Sequence, residues 1–106
     1  MKVGQTVHIP VEVMRVDVST YSDWLELRLT DAHGVERLFT EKAPIVTCED
    51  GPDYRNASLA GLIVEELAAI QGRSIVAVDT EKPWGIESTC DTKRFEVFAD
   101  ALFIEP

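Results

Sequence analysis

Two histidines and two cysteines in this 106-residue chain are the candidates for a general base near neutral pH, a thiolate nucleophile or a zinc site: His8, His33, Cys48 and Cys90. No two of them have the spacing of two to four residues that makes a zinc site recognisable. Carboxylates directly follow both cysteines, and a neighbouring negative charge raises a thiol pKa, which disfavours a nucleophilic cysteine. We expect the two histidines on the polar side of a strand and in an exposed turn. The sequence therefore predicts no catalytic residues, no metal site and no cofactor.

Large aromatic residues outside the apolar periodicity are better candidates for a functional site. Tyr21 and Trp24 lie in or beside a predicted loop over residues 19–23, and Trp84 lies in a second predicted loop over residues 80–93. One rigid ring contributes a large contact area at little entropic cost, which suits protein partners and stacked bases alike. The alternative for each tryptophan is packing over a neighbouring strand.

Charged residues close to these aromatic residues complete the candidate binding site. Arg28 follows Trp24 on the same predicted strand, whereas Glu81 and Glu87 lie on either side of Trp84 in the second loop. A local basic patch that binds single strands is one interpretation of the arginine and lysine residues nearby. Solvated ion pairs with the adjacent carboxylates are the preferred interpretation.

The charge balance narrows the classes of partner. Ten Lys and Arg residues stand against nineteen Asp and Glu residues, so the formal charge is −9. Most nucleic-acid binders gain affinity by placing Lys and Arg on phosphates, and an excess of carboxylates opposes that. Anionic membranes are disfavoured for the same reason, whereas basic protein partners are favoured. The acidic residues are concentrated in residues 41–53 and 79–91, where a binding rim is expected.

Alternating apolar residues predict a long first strand over residues 6–18. The alternation slips by one residue at Val13 and Met14, and a β-bulge there would keep Met14, Val16 and Val18 directed inward. Pro10 cannot donate a hydrogen bond, so its side of the strand should lie at an edge.

A hairpin and one helix are predicted after this strand. Residues 24–30 alternate cleanly, and the turn from Asp31 to Gly34 leads into a strand over residues 35–40. Residues 41–56 predict an irregular connection with a short strand at residues 45–47. Five apolar residues at helical spacing predict a helix over residues 57–71, which Gly72 would end: Leu59, Leu62, Ile63, Leu67 and Ile70.

Short apolar runs at residues 75–78 and 95–98 predict two further strands, and residues 101–104 close the chain. The resulting order, β-β-β-α-β-β, resembles that of the OB-fold, a five-stranded Greek-key barrel, and the resemblance is one of topology. An SH3-like barrel and an α+β sheet with one packed helix are the alternatives. The length predicts a single domain over residues 1–106.

The chain lacks an apolar run that would form a transmembrane helix or a signal peptide, so we expect a cytosolic protein. Free thiols are expected for Cys48 and Cys90 in that compartment, and a disulfide between them is the alternative. The leading functional hypothesis is a small acidic, non-enzymatic module that binds a basic protein partner. An inhibitor, an immunity protein and a nucleic-acid mimic are examples of this class. The alternative is an OB-type binder of single-stranded nucleic acid or a small ligand. A monomer or a small homo-oligomer is expected.

Overall fold

The computed structural model describes residues 2–18, 23–47, 54, 56–81, 85–86, 88–89 and 92–104. They form six antiparallel strands in one sheet of order β3-β2-β1-β4-β5-β6, with a short helix before β4. The sheet curls into a half-barrel consistent with a small OB-like or SH3-like barrel, so the predicted mainly β fold class is confirmed. The elements are β1 Thr6–Asp17, β2 Trp24–Thr30, β3 Glu36–Lys42, α1 Ala43–Val46, β4 Ala57–Ile70, β5 Arg73–Asp79 and β6 Arg94–Phe98.

A bulge lets β1 pair with two strands in succession. Residues 6–11 pair with β4 and residues 12–17 pair with β2, and the register with β2 shifts between Val13 and Arg15. The predicted bulge is therefore confirmed. Val16 packs against the core as expected. The inward direction expected for Met14 and Val18 is wrong, because their side chains are 49% and 73% exposed.

Pro10 faces the open side of β1, as predicted. The N–H and C=O of His8 both bond to the backbone of Phe103, on the side away from β4. Backbone groups two residues apart on a strand point the same way, so the nitrogen of Pro10 also points away from β4. The missing N–H thus removes no bond of the β1–β4 ladder.

The turn between β2 and β3 has the predicted form. The N–H of Gly34 donates to the C=O of Asp31 at 3.1 Å, and Gly34 has a φ of +78°. The Asp31 carboxylate accepts hydrogen bonds from the N–H groups of His33 and Val35 at 2.9 and 3.0 Å. This turn sets the hairpin register, in which Thr30 pairs with Glu36.

The helix predicted over residues 57–71 is wrong, since these residues form β4. Ala57, Leu59, Gly61 and Ile63 are buried with the period of two of a strand, and β1 and β5 supply backbone partners on both sides. Such tertiary pairing overrides the helical preference of Ala, Leu and Glu. Gly72 does adopt a positive φ, +76°, but in a hairpin turn to β5.

The connection after β3 also differs from expectation. A short strand was predicted at residues 45–47, whereas α1 occupies Ala43–Val46 with Pro44 in its first turn, where its missing N–H has no partner to lose. Ala43 and Val46 are buried against the core. Like the helix of an OB-fold, α1 lies between the third and fourth strands.

Two backbone hydrogen bonds draw the ends of the sheet together. Ala32 N–H donates to Glu96 C=O at 2.9 Å, and Thr89 N–H donates to Leu38 C=O at 2.8 Å. The core inside is apolar, and Phe39 of β3 meets Phe95 of β6 edge to face at 5.3 Å between ring centroids. The sheet curls around this core, so the side chains of β1, β2 and β3 that point away from the core form a second surface of the sheet.

Candidate functional site

The candidate site is built on what we call the outer face, the surface of β1, β2 and β3 directed away from the core. On β2 the even-numbered residues face outward, because Leu25, Leu27 and Leu29 are buried. The register carries this pattern to both neighbouring strands. The outer face comprises Glu12, Met14, Arg15, Asp17, Trp24, Glu26, Arg28, Thr30, Glu36, Leu38, Thr40 and Lys42.

Trp24 lies at one end of the outer face and remains accessible. It pairs with Asp17 on β1 and Lys42 on β3, and 38% of its surface is exposed. The Nζ of Lys42 lies 5.5 Å from the centroid of the indole ring, within the range of a cation–π contact. The ring therefore already receives a cation from its own chain and still presents apolar surface to solvent.

Arg28 lies near the middle of the outer face between two glutamates. Its Nε and Nη2 both contact one carboxylate oxygen of Glu12, with Nε at 3.1 Å, and its Nη1 lies 3.3 Å from Glu36. The hydrogen bond and charge of Glu12 raise the pKa of Arg28 further. The predicted binding residue thus joins three strands, and its charge is compensated by two carboxylates.

The same compensation extends to all five arginines in the part of the chain that the structure describes. Besides Arg28, ion pairs join Arg15 to Asp17 at 3.0 Å, Arg37 to Asp31 at 3.5 Å, Arg73 to Asp100 at 2.6 Å and Arg94 to Glu65 at 2.9 Å. By contrast, Glu26 of the outer face and Glu66 of β4 form no ion pair with the described residues. The described arginines are thus all paired with carboxylates, while the chain as a whole has more carboxylates than basic residues.

Glu81 lies in another part of the fold from Trp24 and Arg28. It follows β5, which β1 and β4 separate from β2 in the sheet, and it pairs with Lys93 at 3.3 Å. The loop it begins is anchored by Thr80, whose buried hydroxyl donates to the C=O of Ile86 at 2.6 Å. Tyr21, Trp84, Glu87, Cys48 and Cys90 lie outside the described residues.

The two histidines have the predicted positions. His8 lies on the outward side of β1 and stacks on Phe103 with 5.2 Å between the ring centroids. His33 lies in the exposed turn, where its Nε2 is 2.7 Å from Glu96. Among the described residues, no group of three or more His, Cys, Asp and Glu side chains could hold a metal ion. In the same residues, no helix has the length and apolar character to cross a membrane.

Sequence reasoning missed several members of the outer face, although the alternation along β2 was a signal for which of its residues share a face. Counting outward from the predicted turn pairs Thr30 with Val35, one residue away from the observed register. The N–H of Asp31 instead bonds to the C=O of Val35, which places Arg28 opposite Leu38 and Trp24 opposite Lys42. Leu38 is 51% exposed, and with Met14 it adds apolar area between the charged groups. Comparison of the chain with protein-family models, curated protein sequences and solved structures finds no match.

Proposed function

We propose that this chain is a small acidic, non-enzymatic module that binds a basic protein partner through its outer face. An inhibitor, an immunity protein or a nucleic-acid mimic that occupies a basic cleft would act in this way. The observation that carries the proposal is an exposed tryptophan, Trp24, on a face whose arginines, Arg15 and Arg28, are each paired with a carboxylate.

Electrostatics favours a basic partner over a polyanion. The formal charge is −9, and both arginines of the outer face are already paired, Arg28 with Glu12 and Glu36 and Arg15 with Asp17. A phosphate that bound either arginine would have to displace these carboxylates, whereas a basic protein surface would be attracted by the excess of negative charge. Complementary charge of this kind raises association rates and makes them sensitive to salt.

Trp24 and Glu26 are two residues apart on β2, so both side chains lie on the outer face. Trp is one of the residue types enriched at the positions that dominate binding energy in protein interfaces, and Met and Arg are enriched in interfaces generally. Glu26 supplies a carboxylate that forms no ion pair with the described residues. Together they suit an arginine or lysine of the partner, which can contact a ring face and a carboxylate at once.

Affinity capture from a lysate at two salt concentrations, with the captured proteins identified by mass spectrometry, tests the proposal. We expect one basic protein, held at low salt and released at high salt, because exposed charge interactions are screened. Retention unchanged in high salt would contradict the electrostatic part, and retention of no specific protein would contradict the proposal.

Matched variants locate the surface. Trp24→Ala should weaken binding of the identified partner at least tenfold, as expected for an interface anchor. Ile104→Ala is the control, because Ile104 is 48% exposed but lies outside the outer face. Glu26→Gln and Glu66→Gln form a second pair: each removes one negative charge, and only the first removes it beside Trp24. Equal effects within either pair would contradict binding at the outer face.

A second candidate is an OB-type binder of single-stranded nucleic acid or a small ligand. The observation in its favour is the exposed Trp24 ring with Lys42 beside it, since aromatic stacking next to a cation is how single strands are bound. Titration of labelled oligonucleotides at low salt separates the candidates. A change in tryptophan fluorescence and anisotropy would favour nucleic-acid binding, and no change would remove the nucleic-acid form of this candidate.

A further inference from the structure

The second half of β4 is an edge strand, although its first half lies inside the sheet. β1 pairs with β4 only as far as Leu62, and the last backbone bonds on that side join Ile63 to Gly4 and Gln5. The chain before β1 then turns away from β4, and a hydrogen bond from Gln5 N–H to Lys2 C=O closes this turn. In the described part of the chain, residues 64–70 pair with β5 alone.

The hydrogen-bond pattern of β5 shows which groups of this edge face outward. Thr80 N–H donates to Lys93 C=O, so even-numbered residues of β5 bond toward β6 and odd-numbered residues bond toward β4. Glu66 is opposite Val76, an even-numbered residue. The N–H and C=O of Glu66 therefore point away from β5, toward the open edge.

The side chains along this edge are mostly small or apolar. The sequence of residues 64–70 is Val-Glu-Glu-Leu-Ala-Ala-Ile, and it contains neither the lysine nor the proline with which exposed edges are commonly protected. Val64 and Ile70 are each 37% exposed. Bulges in β4 limit the regular part of the edge to the residues around Glu66 and Leu67.

We propose that a second copy of this chain binds here, with the two β4 edges antiparallel about a two-fold axis at Leu67. In this register Glu66 lies opposite Ala68, Glu65 opposite Ala69 and Val64 opposite Ile70. Each glutamate meets an alanine and the exposed apolar residues meet each other, whereas a register centred on Glu66 would set two carboxylates face to face. The pairing is short, so the dimer is weak and forms at high protein concentration.

The charge of the chain gives this dimer a signature that differs from binding of a basic partner. Two copies of charge −9 repel each other, and salt screens that repulsion. Self-association should therefore strengthen as salt is added, whereas capture of a basic partner should weaken. The two proposals can thus fail independently.

Sedimentation velocity over a series of protein and salt concentrations tests the proposal. We expect the average mass to rise from monomer toward dimer with protein concentration, and more steeply at high salt. Glu66→Pro removes an outward N–H that makes no bond to β5, so the fold should persist while the dimer dissociation constant rises at least about tenfold. Glu66→Ala is the control, because it keeps the N–H and should dimerise at least as well as the original chain.

Hydrogen exchange of the unaltered chain gives a second readout that does not require a variant to fold. Exchange of the Glu66 amide should slow as protein concentration rises, while the exposed amides of the β2–β3 turn should not change. A monomer at all concentrations, an equal dimer for Glu66→Pro, or unchanged exchange at Glu66 would each overturn the proposal. Binding of a different protein's strand at this edge would do so as well.

Discussion

The Asp31 carboxylate is predicted to fix the hairpin that aligns β2 with β3, and through it the outer face. Its Oδ1 accepts hydrogen bonds from the backbone N–H groups of His33 and Val35, and its Oδ2 lies 3.5 Å from Nε of Arg37. The Asp31 side chain is only 4% exposed, so water can replace these contacts only in part. The register of Trp24 with Lys42 depends on this turn.

The size of the effect follows from these contacts. A hydrogen bond to a charged group contributes about 1.5–3 kcal/mol, but His33 and Val35 are exposed and their N–H groups can find water, so the lower value applies. Asp31→Ala, which removes both bonds, should lower the free energy of unfolding by about 3 kcal/mol. Asp31→Asn keeps an acceptor oxygen but loses the charge, and should cost about half as much.

Urea denaturation followed by tryptophan fluorescence measures both losses of unfolding free energy. The slope of that free energy against urea concentration should be the same for all variants. Asp100→Ala is the control, because that carboxylate is 58% exposed and pairs only at the surface. Its effect should be much smaller than that of Asp31→Ala, because an exposed ion pair is screened by solvent. A loss below about 0.5 kcal/mol for Asp31→Ala, or equal losses for the Ala and Asn variants, would refute this account of the turn.

Three further predictions concern other parts of the barrel. Gly61→Ala should destabilise the fold by about 1–3 kcal/mol in thermal denaturation, because the new Cβ would lie 2.8 Å from the backbone oxygen of Asp79. Thr80→Val should destabilise it by about 1–3 kcal/mol, since the buried hydroxyl donates to the C=O of Ile86 at 2.6 Å, with the C=O of Lys93 at 3.2 Å, whereas Thr80→Ser should lose less. The hydrogen bond from Arg73 lowers the pKa of Asp100. The pair therefore stabilises the fold fully above the ordinary aspartate pKa, and this stabilisation is lost as the pH falls through the lowered pKa of Asp100. In an NMR titration, Arg73→Gln should raise the pKa of Asp100.

The sequence predicts correctly where local geometry dominates. The slip at Val13 and Met14 identifies the bulge, and the Asp31 to Gly34 turn identifies a hairpin, because each depends on a few neighbouring residues. Once the turn is known, the period of two places Trp24 and Arg28 on one face. These parts of the fold and of the candidate site were therefore accessible from the sequence alone.

The errors arise where distant residues decide the structure. Residues 57–71 have helical spacing and composition, but backbone partners on β1 and β5 make them a strand. Two signals favoured the strand: Gly61 weakens a helix, and Gln71 with Gly72 forms a two-residue turn in which both φ angles are positive. The ion pairs of Arg28 depend on the register across three strands, which local patterns do not determine.

The central claim is that a basic protein binds the outer face, and its most direct test is the salt dependence of that binding for the original chain and for Trp24→Ala. We predict that the captured partner binds less tightly as salt rises, and that Trp24→Ala weakens binding at every salt concentration while Ile104→Ala does not. Binding that is insensitive to salt, or unchanged by Trp24→Ala, would contradict the claim.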